Sequence, residues 1–430
     1  GIGLAAMEPG AAREVLRIGE GRRAARGDDP FARGFRQARD EFEAEAHGGG
    51  LGEVAALHHG VGEMGGPDHH HIHRRGRHAG GLQHAVQRVG AVGFVNAVLR
   101  RTSRHDLEDW QEFITKDISN ADERLAALYS HPVWIVRALK QSLEAEGRGE
   151  ELENLLASDN LNPRVTLVEL PGFVDANDEV EGEPTNYSPL GMSLNTGGDP
   201  TRFARVREGV VRVQDEGSQL AALVLSRHHE ITPGEKWLDM CAGPGGKAAL
   251  LAAEATLGGA ELTANEVIPG RADLVRKALA ILPDVDVVTG DGVDIGLDQP
   301  NTYDRILLDA PCTGLGALRR RPEARWRKSP KDVGDLTALQ AQLLTSALHA
   351  LKPGGVLAYV TCSPHLAETR AIVEGALRKN QKVSELDARS VLSKVAMESM
   401  DIAGDSLSVQ LWPHRHGTDA MFISLLTKSE

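Results

Sequence analysis

Between Ser218 and Lys428 the chain alternates short apolar runs with segments of helical period, and this alternation constrains its fold more than any other feature. "SQLAALVLSRHHE" reads as a helix, "KWLDMCAG" as a strand and "GGKAALLAAEA" as a helix. "AELTANEV" is a strand and "RADLVRKALAI" a helix; "VDVVTGDG" and "YDRILLDAP" are strands. "LTALQAQLLTSALHAL" is a helix, "GGVLAYVTCS" a strand and "LAETRAIVEGALRK" a helix, and "SVQLWPH" and "AMFISLLTK" close the chain as strands. Strands and helices in strict turn predict an α/β fold built on a doubly wound, mostly parallel sheet. In such a sheet ligands gather at the carboxyl ends of the strands.

The preceding chain reads differently. "GFVNAVLRRTSRHDLEDW" predicts a helix with Phe94, Val95, Val98 and Leu99 on one face. "SNADERLAALYSHPVWIVRALKQSLEAEG" continues helical, capped by Ser119 or Asn120 and stopped by Gly147. Residues 158–216 carry alternating strands and turn residues, which predicts a small α+β subdomain. Residues 1–90 hold 19 of the 47 glycines and 9 of the 17 histidines, yet no Ser, Thr, Asn, Lys, Tyr, Trp or Cys. A folded domain draws on hydroxyl and amide residues for its caps and turns. Two readings fit: a disordered arm, or translation in a wrong reading frame that rejoins near Val89–Gly93. The loss of seven residue types is a codon-level bias and favours the second. "HHHIH" would otherwise be a metal tract or a tag.

At 430 residues the chain can bury more than one core. No run approaches the ~18–20 apolar residues of a membrane helix, and no basic-then-apolar leader opens the chain, so a cytoplasmic protein is expected. Cys241, Cys312 and Cys362 are the only cysteines, too few for a disulfide scaffold. Without CxxC or His/Cys ligand spacing, no metal site is expected. The net charge of −13 argues against a chain coated in nucleic acid, but not against a local basic groove.

Chemistry-bearing residues fall at the strand ends. In "DMCAGPGGKAALL", residues Cys241, Ala242, Gly243, Pro244, Gly245, Gly246 and Lys247 form a glycine-rich turn into a helix. It has neither GxGxxG nor GK[ST] spacing, so phosphate is not required, and it could be a tight turn only. Glu266, 20 residues after Gly246, can grip a ribose diol or be a solvated helix-entry charge. Asp291 could face an adenine amino group or simply form an Asp-Gly turn. Together they suggest a nucleoside-bearing cofactor. "DAPCTG" places Asp309 and Cys312 after one strand, and "TCSP" places Cys362 after another. A single buried cysteine is usually an apolar filler. Two of them at neighbouring strand ends of one crevice point to chemistry.

Carbon 5 of cytosine is a poor nucleophile until a thiolate adds to carbon 6, making an enamine that can take an electrophilic methyl. The adduct must then lose its carbon 5 proton, a task for a second thiolate acting as base. Lys247 or a helix start could depress the nucleophile's pKa, and Asp309 could hold the base edge.

These strings resemble the RNA cytosine-C5 methyltransferases of the RsmB/Sun type. The resemblance spans about residues 93–430 and rests on "VQDEGSQLAA", "DMCAGPGGK", "DRILLDAPCTG", "RRRPEARWRKSPKDVGDLTALQAQLL", "GGVLAYVTCS" and "LWPHRHGTDAMF" in that order. It implies a Rossmann-like domain over 217–430 that uses S-adenosyl-L-methionine. Cys362 would be the nucleophile and Cys312 the thiol that assists product release. The loop Cys241 to Lys247, with Glu266, Asp291 and Asp309, would hold the cofactor. "GFVNAVLRR" resembles the end of a NusB-like RNA-binding domain, so 91–157 would be a NusB-like remnant with linker helices, and 16S rRNA the substrate of a monomeric enzyme. A tRNA substrate, or a non-catalytic RNA-binding protein keeping the fold, are the alternatives. In DNA cytosine methyltransferases the attacking thiol belongs to the Pro-Cys loop; the cysteine of "TCSP" argues for the RNA type. Two departures, Gly243 where alanine is common and Ala420 where glycine is common, are expected to be mild.

Residues 313–331 add a basic run. Arg319, Arg320, Arg321, Arg325, Arg327, Lys328 and Lys331 stand against Glu323, a local charge of +6. The run is expected to steer RNA phosphates, with Trp326 stacking on a base or else anchoring a core.

Overall fold

A computed structural model describes residues 96–173, 182–195, 198–282 and 285–430. The expectations for residues 1–90, and for Phe94 and Val95, lie outside the described residues. The chain divides into two compact units at Ser119/Asn120.

In the first unit residues 96–102 are helical, and α1 (Leu107–Thr115) follows. The single helix expected here is interrupted because Asp106 starts a new one: it caps the Asp109 N–H while Asp109 caps its own, a reciprocal capping box.

The second unit opens with α2 (Ala121–Leu128), α3 (Val133–Glu144) and α4 (Leu152–Ser158). Asn120 caps α2 through the Glu123 N–H. Ser130 at positive φ and Pro132 split the expected continuous helix. A four-stranded antiparallel sheet follows, ordered β2-β3-β1-β4, from β1 (Thr166–Glu169), β2 (Glu183–Pro184), β3 (Gly191–Ser193) and β4 (Val211–Val213). The short helix α5 (Ala204–Glu208) precedes β4.

The larger sheet carries the site. Its elements are α6 (Glu216–Ser226), β5 (Lys236–Asp239), α7 (Gly246–Gly258), β6 (Glu261–Asn265), α8 (Pro269–Leu279), β7 (Val285–Val288), α9 (Gly292–Asp298) and β8 (Tyr303–Asp309). There follow α10 (Ala324–Arg327), α11 (Pro330–Ala350), β9 (Leu351–Thr361), α12 (Arg370–Lys379), β10 (Val383–Leu386), α13 (Ala388–Val395), β11 (Val409–Gln410), α14 (Pro413–His416) and β12 (Phe422–Lys428). The order is β10-β12-β9-β8-β5-β6-β7, with β11 on β12. β7, β6, β5, β8 and β9 are parallel; β12 runs antiparallel to β9, β10 and β11. The fold is therefore α/β with a sheet that is mostly parallel, as the alternation implies.

Two corrections concern its far edge. "SVQLWPH" yields a two-residue strand, after which Pro413 starts a helical turn. The pair β10 and α13 was not expected, nor, after β7 at the opposite edge, was α9. Side chains along β8 and β9 alternate between two cores. Leu307, Val356, Ala358 and Val360 pack with α6, α7 and α13. Ile306, Leu308, Leu357 and Tyr359 pack with α11 and α12 on the other face. A third core joins α2–α4 to Leu315, Leu318, Trp412 and Ala420. Among the described residues no helix is long and apolar enough to cross a membrane.

Candidate active site

The chain leaves β5 on one side for β6 and returns on the other as β8. This reversal opens a crevice at the carboxyl ends of the parallel strands, where loops from β5, β6, β8 and β9 converge. Asp309 at the end of β8 pairs with Val360 of β9, so the residues just beyond, Cys312 and Cys362, leave the sheet side by side.

The two thiols meet: Cys312 Sγ lies 3.4 Å from Cys362 Sγ. The hydrogen bond between them sets their acidities apart. It holds Cys312 well above the ordinary thiol range, with burial and the nearby Glu368 and Asp309 carboxylates acting in the same direction. The same bond lowers Cys362 against the effect of burial, and the Lys247 ammonium helps. Of the two thiols Cys362 is therefore the more acidic, the one better placed to become a nucleophile. Lys247 Nζ donates to Asp309 Oδ2 at 2.8 Å. Burial opposes the charge on Lys247, but Asp309 more than offsets this and raises its pKa.

The glycine loop supports a ligand cradle. Gly245 takes φ +109°, and a Cβ there would overlap the Ala278 Cβ at 2.5 Å. α7 begins directly afterwards at Gly246, with Lys247 in its first turn. Gly243 is held against Glu266: its N–H donates to Glu266 Oε2 at 3.1 Å, and Arg271 Nη2 donates to its carbonyl at 2.6 Å. A Cβ on Gly243 would sit 2.1 Å from Glu266 Oε2, so glycine here makes room for that acid. Ala242 and Gly245 are buried and Pro244 is exposed. The Cys241 side chain packs against the core on the α11 face, where burial pushes its thiol far up.

Glu266 is buried and also accepts from the Ile268 N–H at 3.0 Å. Asp291 is exposed and caps α9 through the Val293 N–H, which is the turn-forming role that the Asp-Gly pair allows. Sequence reasoning missed Asp239, at the end of β5. It is 1% exposed, neither carboxylate oxygen has a hydrogen-bond partner, and burial together with the Asp309 charge pushes its pKa up to about 8. A buried unpartnered carboxyl beside a glycine cradle suits a ligand that brings positive charge, as the sulfonium and ammonium of S-adenosylmethionine do. Its signal was available: an acid closing the strand in "KWLD" at the reversal point.

The basic run divides into residues that brace the fold and residues that stay exposed. Arg319 and Arg320 both pair with Asp215 and Asp419 at 2.7–3.1 Å, which locks the loop after β8 to the start of α6 and the approach to β12. Arg325 is buried and donates to the Ser130 and Asp159 carbonyls and to Asn160 Oδ1, fastening α10 to the turn after α2 and the end of α4. These three guanidinia brace the protein: Arg325 is buried, and Arg319 and Arg320 are each held by two carboxylates. Arg321 and Arg327 are exposed, as is Trp326 at 42%.

Residues 226–427 match a family model described as 16S rRNA methyltransferase RsmB/F. The chain is 46% identical over 341 residues to a Mycobacterium tuberculosis (strain ATCC 25618 / H37Rv) protein described as a methyltransferase, covering 78% of this chain and 72% of the relative. It is 31% identical over 320 residues to ribosomal RNA small subunit methyltransferase B of Pseudomonas putida, covering 71% and 69%. Among solved structures, a methyltransferase homolog protein from Pyrococcus horikoshii superposes with a TM-score of 0.59 at 22% identity, over 72% of this chain and all of that one; this likeness is one of fold.

Proposed function

Because the chain belongs to the 16S rRNA methyltransferase RsmB/F family, whose methyl donor is S-adenosylmethionine, we propose that it methylates carbon 5 of a cytidine in 16S rRNA through a covalent adduct at Cys362. The observation that carries this reading is the 3.4 Å approach of two thiols of opposed acidity beside the Lys247–Asp309 pair. When bound, S-adenosylmethionine supplies an electrophilic methyl group on a positively charged sulfur. The loop from Cys241 to Lys247, Glu266, Asp291, Asp309 and the unpartnered Asp239 would hold it.

The chain's own residues divide the work. The target base leaves its stack to reach a crevice at a strand edge. The Cys362 thiolate attacks carbon 6, and the electron pair moves toward carbon 5. Asp309, fixed by Lys247, holds the base edge in register. Once the Cys362 sulfur is bonded to carbon, the largest cause of the raised Cys312 pKa, the hydrogen bond to Cys362, is gone, although burial, Glu368 and Asp309 still act on it. After carbon 5 has formed its bond to the methyl group, Cys312, its own proton passed to water, would take the carbon 5 proton as the electron pair returns to the ring and Cys362 leaves as thiolate. Arg321, Trp326 and Arg327 offer an exposed approach for RNA. Such an enzyme would act in the cytoplasm, where ribosomal RNA is made.

The test uses purified protein, methyl-labelled S-adenosylmethionine, and 16S rRNA or tRNA. Label should enter 16S rRNA and vanish with Cys362→Ala. Cys312→Ser should accumulate RNA covalently bound to protein on a denaturing gel. If Cys362→Ser traps RNA instead, the roles are reversed; label entering only tRNA would move the substrate.

A further inference from the structure

Six residues after Cys362, in the helical turn before α12, Glu368 is fully buried and lies outside every motif that carries the family resemblance. Its oxygens receive four donors. The Thr313 N–H donates to Oε1 at 2.8 Å, and the Thr313 hydroxyl donates to Oε2. The Ser363 hydroxyl donates to Oε2 at 2.7 Å. Gln340 Nε2 donates to Oε1 at 3.2 Å and to the Pro311 carbonyl at 2.8 Å. Thr313 is the residue after Cys312, and Ser363 is the residue after Cys362. The two hydroxyls are themselves 3.2 Å apart. Thr313, Ser363 and Gln340 are all buried, and the Tyr359 hydroxyl fixes the Glu368 carbonyl at 2.8 Å.

A buried carboxylate with this many donors is held rigidly, and removing it leaves several donors without partners. Strand register brings the two cysteine loops out next to each other, but it does not fix how far each loop turns after the sheet ends. Glu368 ties the first residue beyond each sulfur to one side chain. We infer that Glu368 is the positioning residue of the two-thiol centre: its carboxylate joins the two loops and sets the distance between the sulfurs. Its kinetic consequence rests on the proposed reaction, since only a Cys312 held against the adduct can take the carbon 5 proton.

The experiment reads the centre in two ways. The first needs no RNA. Diamide takes two electrons and two protons from a pair of thiols and leaves a disulfide. The rate at which the Cys312–Cys362 bond forms, followed by peptide mass spectrometry, reports whether the sulfurs meet. Glu368→Ala should slow it at least tenfold. Thr313→Val and Ser363→Ala, each losing one hydroxyl, should slow it less, and Glu368→Gln, which keeps an acceptor for the Thr313 N–H, should lie between. The second readout is turnover on 16S rRNA. A displacement of ~1 Å costs about 10²-fold in rate, so Glu368→Ala should lose that much kcat with KM held, and should accumulate covalent RNA–protein, the outcome also expected of Cys312→Ser. A carboxylate needed only for folding would lower the melting temperature and turnover together, with no trapped adduct. Disulfide formation at the wild-type rate in folded Thr313→Val, Ser363→Ala and Glu368→Gln would overturn the inference. If wild-type protein methylates no RNA, the reaction reading fails while the diamide rates still judge the clamp.

Discussion

Asp239→Asn should flatten the pH dependence of stability by an amount that follows from burial. The Asp239 carboxyl has no hydrogen-bond partner, and its pKa is about 8 in the fold against 3.8 for an unperturbed aspartate. Below pH 3.8 the group is neutral in both the folded and the unfolded chain and changes nothing. As pH rises from there toward 8, the unfolded chain releases the proton and the folded chain keeps it, so stability falls. At ~1.36 kcal/mol per unit the loss is about 4 kcal/mol at pH 7. Above the folded pKa both states are ionised and the loss stops growing. Asparagine has the same shape and does not titrate. The gain of Asp239→Asn over wild type should therefore grow by about 4 kcal/mol between pH 4 and pH 7. With an unfolding entropy of ~2.1 cal/mol/K per residue, the unit from Asn120 to Glu430 carries ~0.65 kcal/mol/K, so the melting temperature should rise by about 6 °C at neutral pH. Scanning calorimetry of both proteins from pH 4 to 8.5 measures this. A difference in melting temperature that stays constant over the whole range would refute the argument. The same variant should bind S-adenosylmethionine more weakly. Wild type should release a proton when it binds, seen as a buffer-dependent heat at pH 7.5.

Gly243→Ala should leave S-adenosylmethionine binding little changed in a binding titration, because the atom its Cβ would meet is the free end of the Glu266 side chain, which can turn aside, and alanine is common at this position in the family. Gly316→Ala sets a Cβ 2.1 Å from the Ala420 carbonyl and 2.9 Å from that of Cys362; since both are backbone, it should cost ~1–3 kcal/mol in denaturant unfolding and reduce turnover. Arg320→Ala should lower the melting temperature by breaking the pairs to Asp215 and Asp419. Arg321→Ala and Arg327→Ala should leave stability unchanged, and each should lower the log–log salt slope of RNA binding by ~1 as one phosphate loses its cation.

The sequence reading and the structure part company for identifiable reasons. Long periodic segments such as "GGVLAYVTCS" announce a strand because Val356, Ala358 and Val360 face one core while Leu357 and Tyr359 face the other. The same strand ends bring Cys312 and Cys362 together, so the thiol pair was legible from position alone. Short elements were not. β10 reads "VSEL" and α9 reads "GVDIGLD", too brief and too polar to show a period. Arg319, Arg320 and Arg325 look like a phosphate track because a basic run does not reveal acids far along the chain. Asp215 and Asp419 lie about a hundred residues away, and only folding places them against the run. Glu368 was hidden for the opposite reason: "LAETR" reads as part of a helix, and its partners come from the ends of two separate strands and from Gln340 of α11.

The third core has a consequence for how this protein can be divided. Leu315 and Leu318 lie just past Cys312, and they are covered by Ile135, Leu139 and Leu143 of α3 together with Leu155 and Leu156 of α4. A fragment cut at residue 217 to isolate the larger sheet would strip the apolar cover from the loop that carries Cys312. The helices before the small sheet are thus part of the support beneath that loop, and the shortest stably folded piece should begin near Asn120.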